Sequence, residues 1–224
     1  MRNIRAVGKV TALITRLGVN GPELLVFQHP LAGIQLPAGT VEIGESVAAA
    51  LQREVQEETG LIAFDSVQPL GTQTTILSDD QRILLRLSKL FDSPAFDASS
   101  LPFTLTRGTI VRLLQEVGEG GRGRFAQVCY EQYDLAYKPP QLHQSFSGWV
   151  RSSILSRHIE RHFFHLTHHS PTPTTWQVET DNHTFYLFWV SLTPRPQLVY
   201  SQQLWLDTHY EPIMAYYQGN LSTD

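Results

Sequence analysis

Residues 39–61 read GTVEIGESVAAALQREVQEETGL, and this stretch decides the fold. Ser46 is a helix N-cap residue type, and Gly60 suits the left-handed residue that closes a helix, so the spacing predicts a helix over 47–59. Val47, Leu51 and Val55 recur every four residues and give it an apolar stripe. Glu54, Glu57 and Glu58 stand at i, i+3 and i+4, so three carboxylates emerge on one face. Like charges at that spacing repel by roughly 0.2–0.5 kcal/mol per pair. Two of them also fall in the last turn, where the helix dipole disfavours negative charge. Folding gains nothing from this arrangement. A hard divalent cation bound by oxygen ligands turns the cost into a gain; a solvated acidic face is the plain alternative.

The segment resembles the signature of the Nudix hydrolases, which cleave nucleoside diphosphates linked to another group. That pattern is Gly, five residues, Glu, seven residues, then Arg-Glu-aliphatic-any-Glu-Glu-any-Gly-aliphatic. Gly39, Glu45, Arg53, Glu54, Val55, Glu57, Glu58, Gly60 and Leu61 fill every fixed place. The resemblance implies that Glu54, Glu57, Glu58 and the Gly39 carbonyl hold magnesium, with manganese as the alternative ion. Glu45 and Arg53 are expected to pair and to hold loop and helix in register. The implied reaction is attack of water on a diphosphate phosphorus, with a carboxylate as base. A nucleoside triphosphate or dinucleoside polyphosphate is the expected substrate. A nucleotide sensor or adaptor that binds without hydrolysis, docking through a β-rich insertion in the middle of the chain, is the rival reading. Members of the family often recruit a further acid from outside the box; Glu179 is the first choice here and Glu131 the second.

Composition sets the frame. A chain of 224 residues with 42% apolar and 17% charged residues can bury a sizeable core. Its net charge of −4 supports neither nucleic acid nor an anionic membrane as partner. A nucleotide-type small molecule is the expected partner, and a homodimer is left open. Cys129 is the only cysteine, and its apolar surroundings suit a buried side chain. MRNIRAVGKV lacks an apolar signal core, which leads to the expectation of a cytoplasmic protein.

Outward from the box, Val10–Thr15 and Leu24–Phe27 flank Asn20-Gly21 and predict a hairpin. A short strand is expected around Ile34–Leu36. Leu70–Leu77 and Arg82–Leu90 read as a strand pair turning at Ser78-Asp79-Asp80. Residues 91–104 have linker character. Thr109–Leu114 and Arg124–Tyr130 read as strands joined by a glycine-rich turn, and Gly148-Trp149-Val150 as a further strand. This middle part bears a slight similarity to a bacterial Src-homology-three-type small barrel. Tyr130, Tyr133, Tyr137 and Trp149 are either barrel core or a surface that stacks a base. Phe185–Leu192 reads as a doubly buried central strand, and Leu198–Leu206 as a closing helix.

The fold class expected is therefore α+β: an α/β/α sandwich with a mixed sheet, as the resemblance implies, interrupted by a β-rich insertion. The first part of the sandwich is placed at 1–94, the insertion at 95–157 and the second part at 158–224. Five histidines fall between His158 and His169, without tetrahedral ligand spacing. His165 is the one singled out for phosphate contact or proton transfer near the cleft. Arg122 and Arg124 are loop arginines, either solvated or set to meet phosphate.

Overall fold

The computed structural model describes residues 5–118, 123–135, 137–180 and 183–221. The chain runs β1 (Ala6–Gly18), β2 (Gly21–His29), β3 (Gly33–Gln35), β4 (Ala38–Thr40), α1 (Val47–Thr59), β5 (Ser66–Ile76), β6 (Gln81–Leu84), β7 (Ser88–Phe91), β8 (Ser100–Leu105) and β9 (Ile110–Val117). It continues with β10 (Phe125–Asp134), β11 (Gln141–Arg151), β12 (Leu155–Ser156), β13 (His158–Thr167), β14 (Thr175–Thr180), β15 (His183–Ser191) and α2 (Tyr200–Leu221). Two compact units result. A helix-bearing unit comprises Val10–Gly39, Ser46–Thr72 and the chain from His162 onward. A β-rich unit comprises the stretch up to Lys9, Thr40–Glu45 and Gln73–Arg161.

An eight-stranded sheet has the order β14-β15-β2-β1-β13-β5, with β3 on β2 and β4 on β1. β1 and β2 form the hairpin read from Asn20-Gly21: Gly18 faces Gly21, whose φ of 117° is one that side-chain-bearing residues avoid. Alternation along the strands then divides the helix-bearing unit into layers. Leu13, Leu24, Val26 and Phe163 turn to one face and cluster with Leu206, Ile213 and Tyr217 of α2. On the other face, Phe164 and Leu166 share a cavity with Leu51 and Val55 of α1. The sheet of this unit thus has a helix on each side, and the α+β sandwich expected from the sequence is found. Each large aliphatic side chain buried beneath α2 contributes roughly 1.5–3 kcal/mol.

The β-rich unit is built on an antiparallel seven-stranded sheet, β12-β6-β9-β10-β11-β7-β8. Leu84, Leu90, Val111, Val128 and Val150 are among the residues of its core. Gly148 lets β11 come close to its neighbours, since a Cβ there would meet Leu90 Cβ at 2.8 Å and the Phe91 carbonyl at 3.1 Å. The sheet curls into a half-barrel, the barrel-like β structure expected from the sequence.

Other local expectations need correction. β5 and β6 do not pair: β5 is an edge of the eight-stranded sheet, while β6 pairs with β9 and β12. Alternation fixes a strand's faces but not its partner, and Leu77 N–H bonds the Arg157 carbonyl where the chain switches sheets. Residues 91–104 are not a linker, because β8 pairs back on β7 from Ser88↔Leu105 to Phe91↔Ser100. β15 has neighbours on both edges but is not doubly buried: Phe185 and Leu187 are buried and Tyr186 is exposed. α2 extends far beyond Leu206, through Pro212, because Ile213 and Tyr217 still reach the core. No helix among the described residues is long and apolar enough to cross a membrane.

Candidate active site

Local chemistry shapes the helix that bears the carboxylates. Ser46 has extended backbone angles, φ −77° and ψ 153°, and its hydroxyl accepts from the Ala49 N–H at 3.1 Å. Gly60 closes the helix in the left-handed region at φ 74°. Ala50, Leu51, Val55 and Thr59 form the buried face, while Val47 is only half-buried. The indole N–H of Trp176 on β14 donates to the Thr59 carbonyl at 2.8 Å, satisfying a carbonyl of the last turn.

Glu54, Glu57 and Glu58 lie on one helix face but differ in setting. The Glu54 side chain is only 14% exposed, and its carboxylate lies against Gly39. A Cβ at Gly39 would fall 1.8 Å from Glu54 Cδ and 2.0 and 2.1 Å from its oxygens. Glycine at 39 is therefore the residue that leaves room for this carboxylate. Glu58 accepts from the Ala38 N–H at 2.8 Å, which ties the helix to the segment before Gly39. Glu57 is half in solvent and pairs with Arg53 at 3.1 Å; Arg53 also contacts Glu54 at 2.9 Å. Arg53 thus offsets the repulsion between these two carboxylates across one turn. Glu45 accepts from the Glu42 N–H at 2.8 Å and fixes the turn of the loop before the helix.

Among the described residues, no three His, Cys, Asp or Glu side chains stand close enough together to hold a metal as they are placed. The donor set nevertheless fits a hard divalent cation: all-oxygen, anionic, on one helix face, with the Gly39 backbone beside Glu54. Soft-metal chemistry has no support from it.

The remaining residues sort clearly. His165 is 1% exposed on β13, and its Nε2 hydrogen-bonds Thr15 Oγ1 at 2.7 Å. The Tyr217 hydroxyl donates to that same Thr15 oxygen at 2.6 Å. Burial pushes the imidazole down to about 4. His165 is thus a neutral core residue beneath α2, which corrects its expected role as a phosphate contact. His162 bonds Thr72, His168 bonds the Ala63 carbonyl, and His169 pairs with Asp65 at 2.9 Å. Glu179 is exposed on β14, opposite Thr184 of β15, and its neighbour Val178 lies beside Gly60. Glu131 belongs to the β-rich unit, where Arg112 binds it at 2.8 Å and holds its carboxyl below the usual range. Arg124 pairs with Glu116 across the β9–β10 hairpin, and Arg122 lies outside the described residues. Trp149 is buried, Tyr130 leans on Phe146, and Tyr133 and Tyr137 are exposed, so the aromatic set divides between core and surface. Cys129 is buried, as expected. The Ala38 N–H as an anchor for Glu58 had no signal in the sequence, because a backbone donor has no residue type.

Residues 9–91 match the model of the NUDIX domain. This chain carries a NUDIX domain. It is 34% identical over 110 residues to the NAD-capped RNA hydrolase NudC of Vibrio atlanticus (strain LGP32), a match covering 43% of this chain and 41% of that protein. It is 31% identical over 107 residues to NudC of Vibrio cholerae serotype O1, covering 42% and 40% respectively. The chain therefore spans about two fifths of the length of the curated relatives it matches. Among solved structures it is similar to the NUDIX domain of Shewanella oneidensis NrtR complexed with ADP ribose. The TM-score is 0.48 and the identity 11%, over 93% of this chain and 89% of that one. The box glutamates, Gly39 and Arg53 all fall within the matched NUDIX segment.

Proposed function

We propose that this chain is a divalent-metal-dependent pyrophosphohydrolase that cleaves the diphosphate of a nucleoside diphosphate-linked substrate. One observation carries the reading: the Glu54 carboxylate occupies the space that a side chain at position 39 would fill. A sheltered acid held against a glycine backbone costs folding energy and is explained by an ion taken between them. Glu54, Glu57, Glu58 and the Gly39 carbonyl would hold magnesium or manganese, which offsets phosphate charge and acidifies bound water. Arg53 sets the spacing of Glu54 and Glu57, and Glu45 keeps the preceding loop in shape. Glu58, anchored by the Ala38 N–H, holds its helix against the Gly39 strand. Glu179, exposed on β14 of the same unit, is the candidate for the further acid.

The substrate reading shifts with the relatives. Proteins named as NAD-capped RNA hydrolases share a third of the aligned residues, which favours a dinucleotide diphosphate of the NAD type, free or as an RNA cap, over a simple triphosphate. The exclusion of nucleic acid drawn from net charge is accordingly not carried forward. The test is a panel of NAD, ADP-ribose, a dinucleoside tetraphosphate, ATP and NAD-capped RNA, each with magnesium or manganese. Release of a nucleoside monophosphate from NAD or the capped RNA supports the reading. Absence of metal-dependent turnover with every member overturns it.

A further inference from the structure

The β-rich unit contains a cavity of about 430 Å³, a size suited to a small ligand. Arg5, Arg86 and Arg107 line it, and no Asp or Glu is among its described lining residues. Arg107 is held in place by backbone carbonyls: its Nε donates to Val41 O at 2.9 Å and its Nη1 to Leu85 O. Among the described residues its Nη2 has no partner, and neither Arg5 nor Arg86 makes an ion pair. In a chain whose net charge is −4, three arginines line one hollow with no acid among its described lining residues, which gathers positive charge there. Neither folding nor solubility needs that arrangement. An anion with several oxygens balances it, since guanidinium groups form paired, charge-assisted hydrogen bonds with phosphate.

The same cavity has an apolar side. Ile43, Leu85 and Ile154 line it, and Ile43 stands 72% exposed on the loop between Gly39 and the helix. A bare inorganic anion leaves these residues unused, whereas a phosphate joined to a flat heterocycle covers them. We propose that this cavity is a nucleotide site distinct from the carboxylate helix. The three arginines take the phosphates, and Ile43, Leu85 and Ile154 receive the nucleoside. The ligand class rests on the reading of the chain as a nucleotide enzyme; the anion site itself does not.

The test uses the full chain in EDTA, so that no metal-dependent binding contributes. ADP and inorganic pyrophosphate are titrated in parallel by calorimetry, at low and at high salt. ADP is expected to bind more tightly than pyrophosphate, and both should weaken with salt. Arg86→Ala and Arg5→Ala should each weaken ADP by about tenfold, the loss of one charge-assisted contact. Arg86→Lys, which keeps the charge but not the fork, should lose less. Both arginines are exposed, and unchanged melting curves will show that the variants fold. A Glu54→Gln/Glu58→Gln variant should bind ADP without metal as the wild type does. Unchanged affinity in Arg5→Ala/Arg86→Ala, or its loss in the glutamate variant, overturns the site. Equal affinity for pyrophosphate and ADP overturns its assignment to a nucleotide. Failure of the hydrolase reading looks different: no substrate is turned over, while this metal-free, arginine-dependent binding persists.

Discussion

Gly39→Ala should separate activity from stability. The backbone at 39 is not in the left-handed region, so alanine can adopt it without strain. The new Cβ would lie 1.8 Å from Glu54 Cδ, the nearest atom of the carboxylate, whereas ordinary contact begins near 3.4 Å. The carboxylate must therefore retreat by the difference, 3.4 − 1.8, or about 1.6 Å. It is the far end of a flexible side chain, so the retreat costs the fold little. The alanine also narrows the unfolded ensemble, which favours folding by ~0.4–1 kcal/mol. Unfolding free energy should change by no more than about 1 kcal/mol, while a ligand moved by more than 1 Å should cost about 100-fold in rate. Pyrophosphate-bond hydrolysis with magnesium, measured beside a urea melt, reads both quantities. Activity within twofold of wild type would refute the placement of Glu54 at the metal. A collapse of the fold would show that Gly39 serves packing instead.

Other outcomes follow from the same geometry. Glu57→Gln removes an exposed carboxylate whose partner is Arg53, so the melting temperature should hold while metal-dependent turnover falls about 100-fold or more; steady-state kinetics with near-wild-type kcat would contradict this. His165 is depressed from 6.5 to about 4. Below pH 6.5 the unfolded chain binds a proton that the folded chain refuses, so this site's contribution is full above 6.5 and is lost as pH falls towards 4, at up to about 1.4 kcal/mol per pH unit. Urea midpoints across that range should fall less steeply in His165→Gln, and parallel profiles would sink the assignment. Ile213→Ala deletes a fully buried side chain beyond Pro212 and should cost roughly 2–5 kcal/mol. A loss below about 1 kcal/mol would mean that the second half of α2 does not hold the sheet.

The sequence was most legible where local chemistry and long-range packing agree. Ser46 and Gly60 bound α1 at the residues expected of them, and Asn20-Gly21 marked the first hairpin, because caps and tight turns are set by neighbours in the chain. Sheet assignment was not legible. β5 and β6 have strand character, yet their partners are chosen by residues more than twenty-five positions away, such as Ile110 for Ile83. The closing helix was expected to end at Leu206, and the apolar contacts of Ile213 and Tyr217 with the sheet explain why it continues through Pro212. At the site, the spacing of the three glutamates identified the helix face. The contact between Gly39 and Glu54 spans fifteen residues and needed the fold to be seen. His165 misled because a histidine near other histidines suggests chemistry, while its bond to Thr15 buries it as structure.

Calorimetric titration of the metal-free chain with Mn²⁺ tests the central claim most directly, comparing wild type with Glu54→Gln/Glu58→Gln. Wild type should release heat at a saturable site and melt at a higher temperature with the ion, and the double variant should do neither. Equal heats from both proteins, or none from the wild type, would contradict the assignment of α1 as the metal-binding helix.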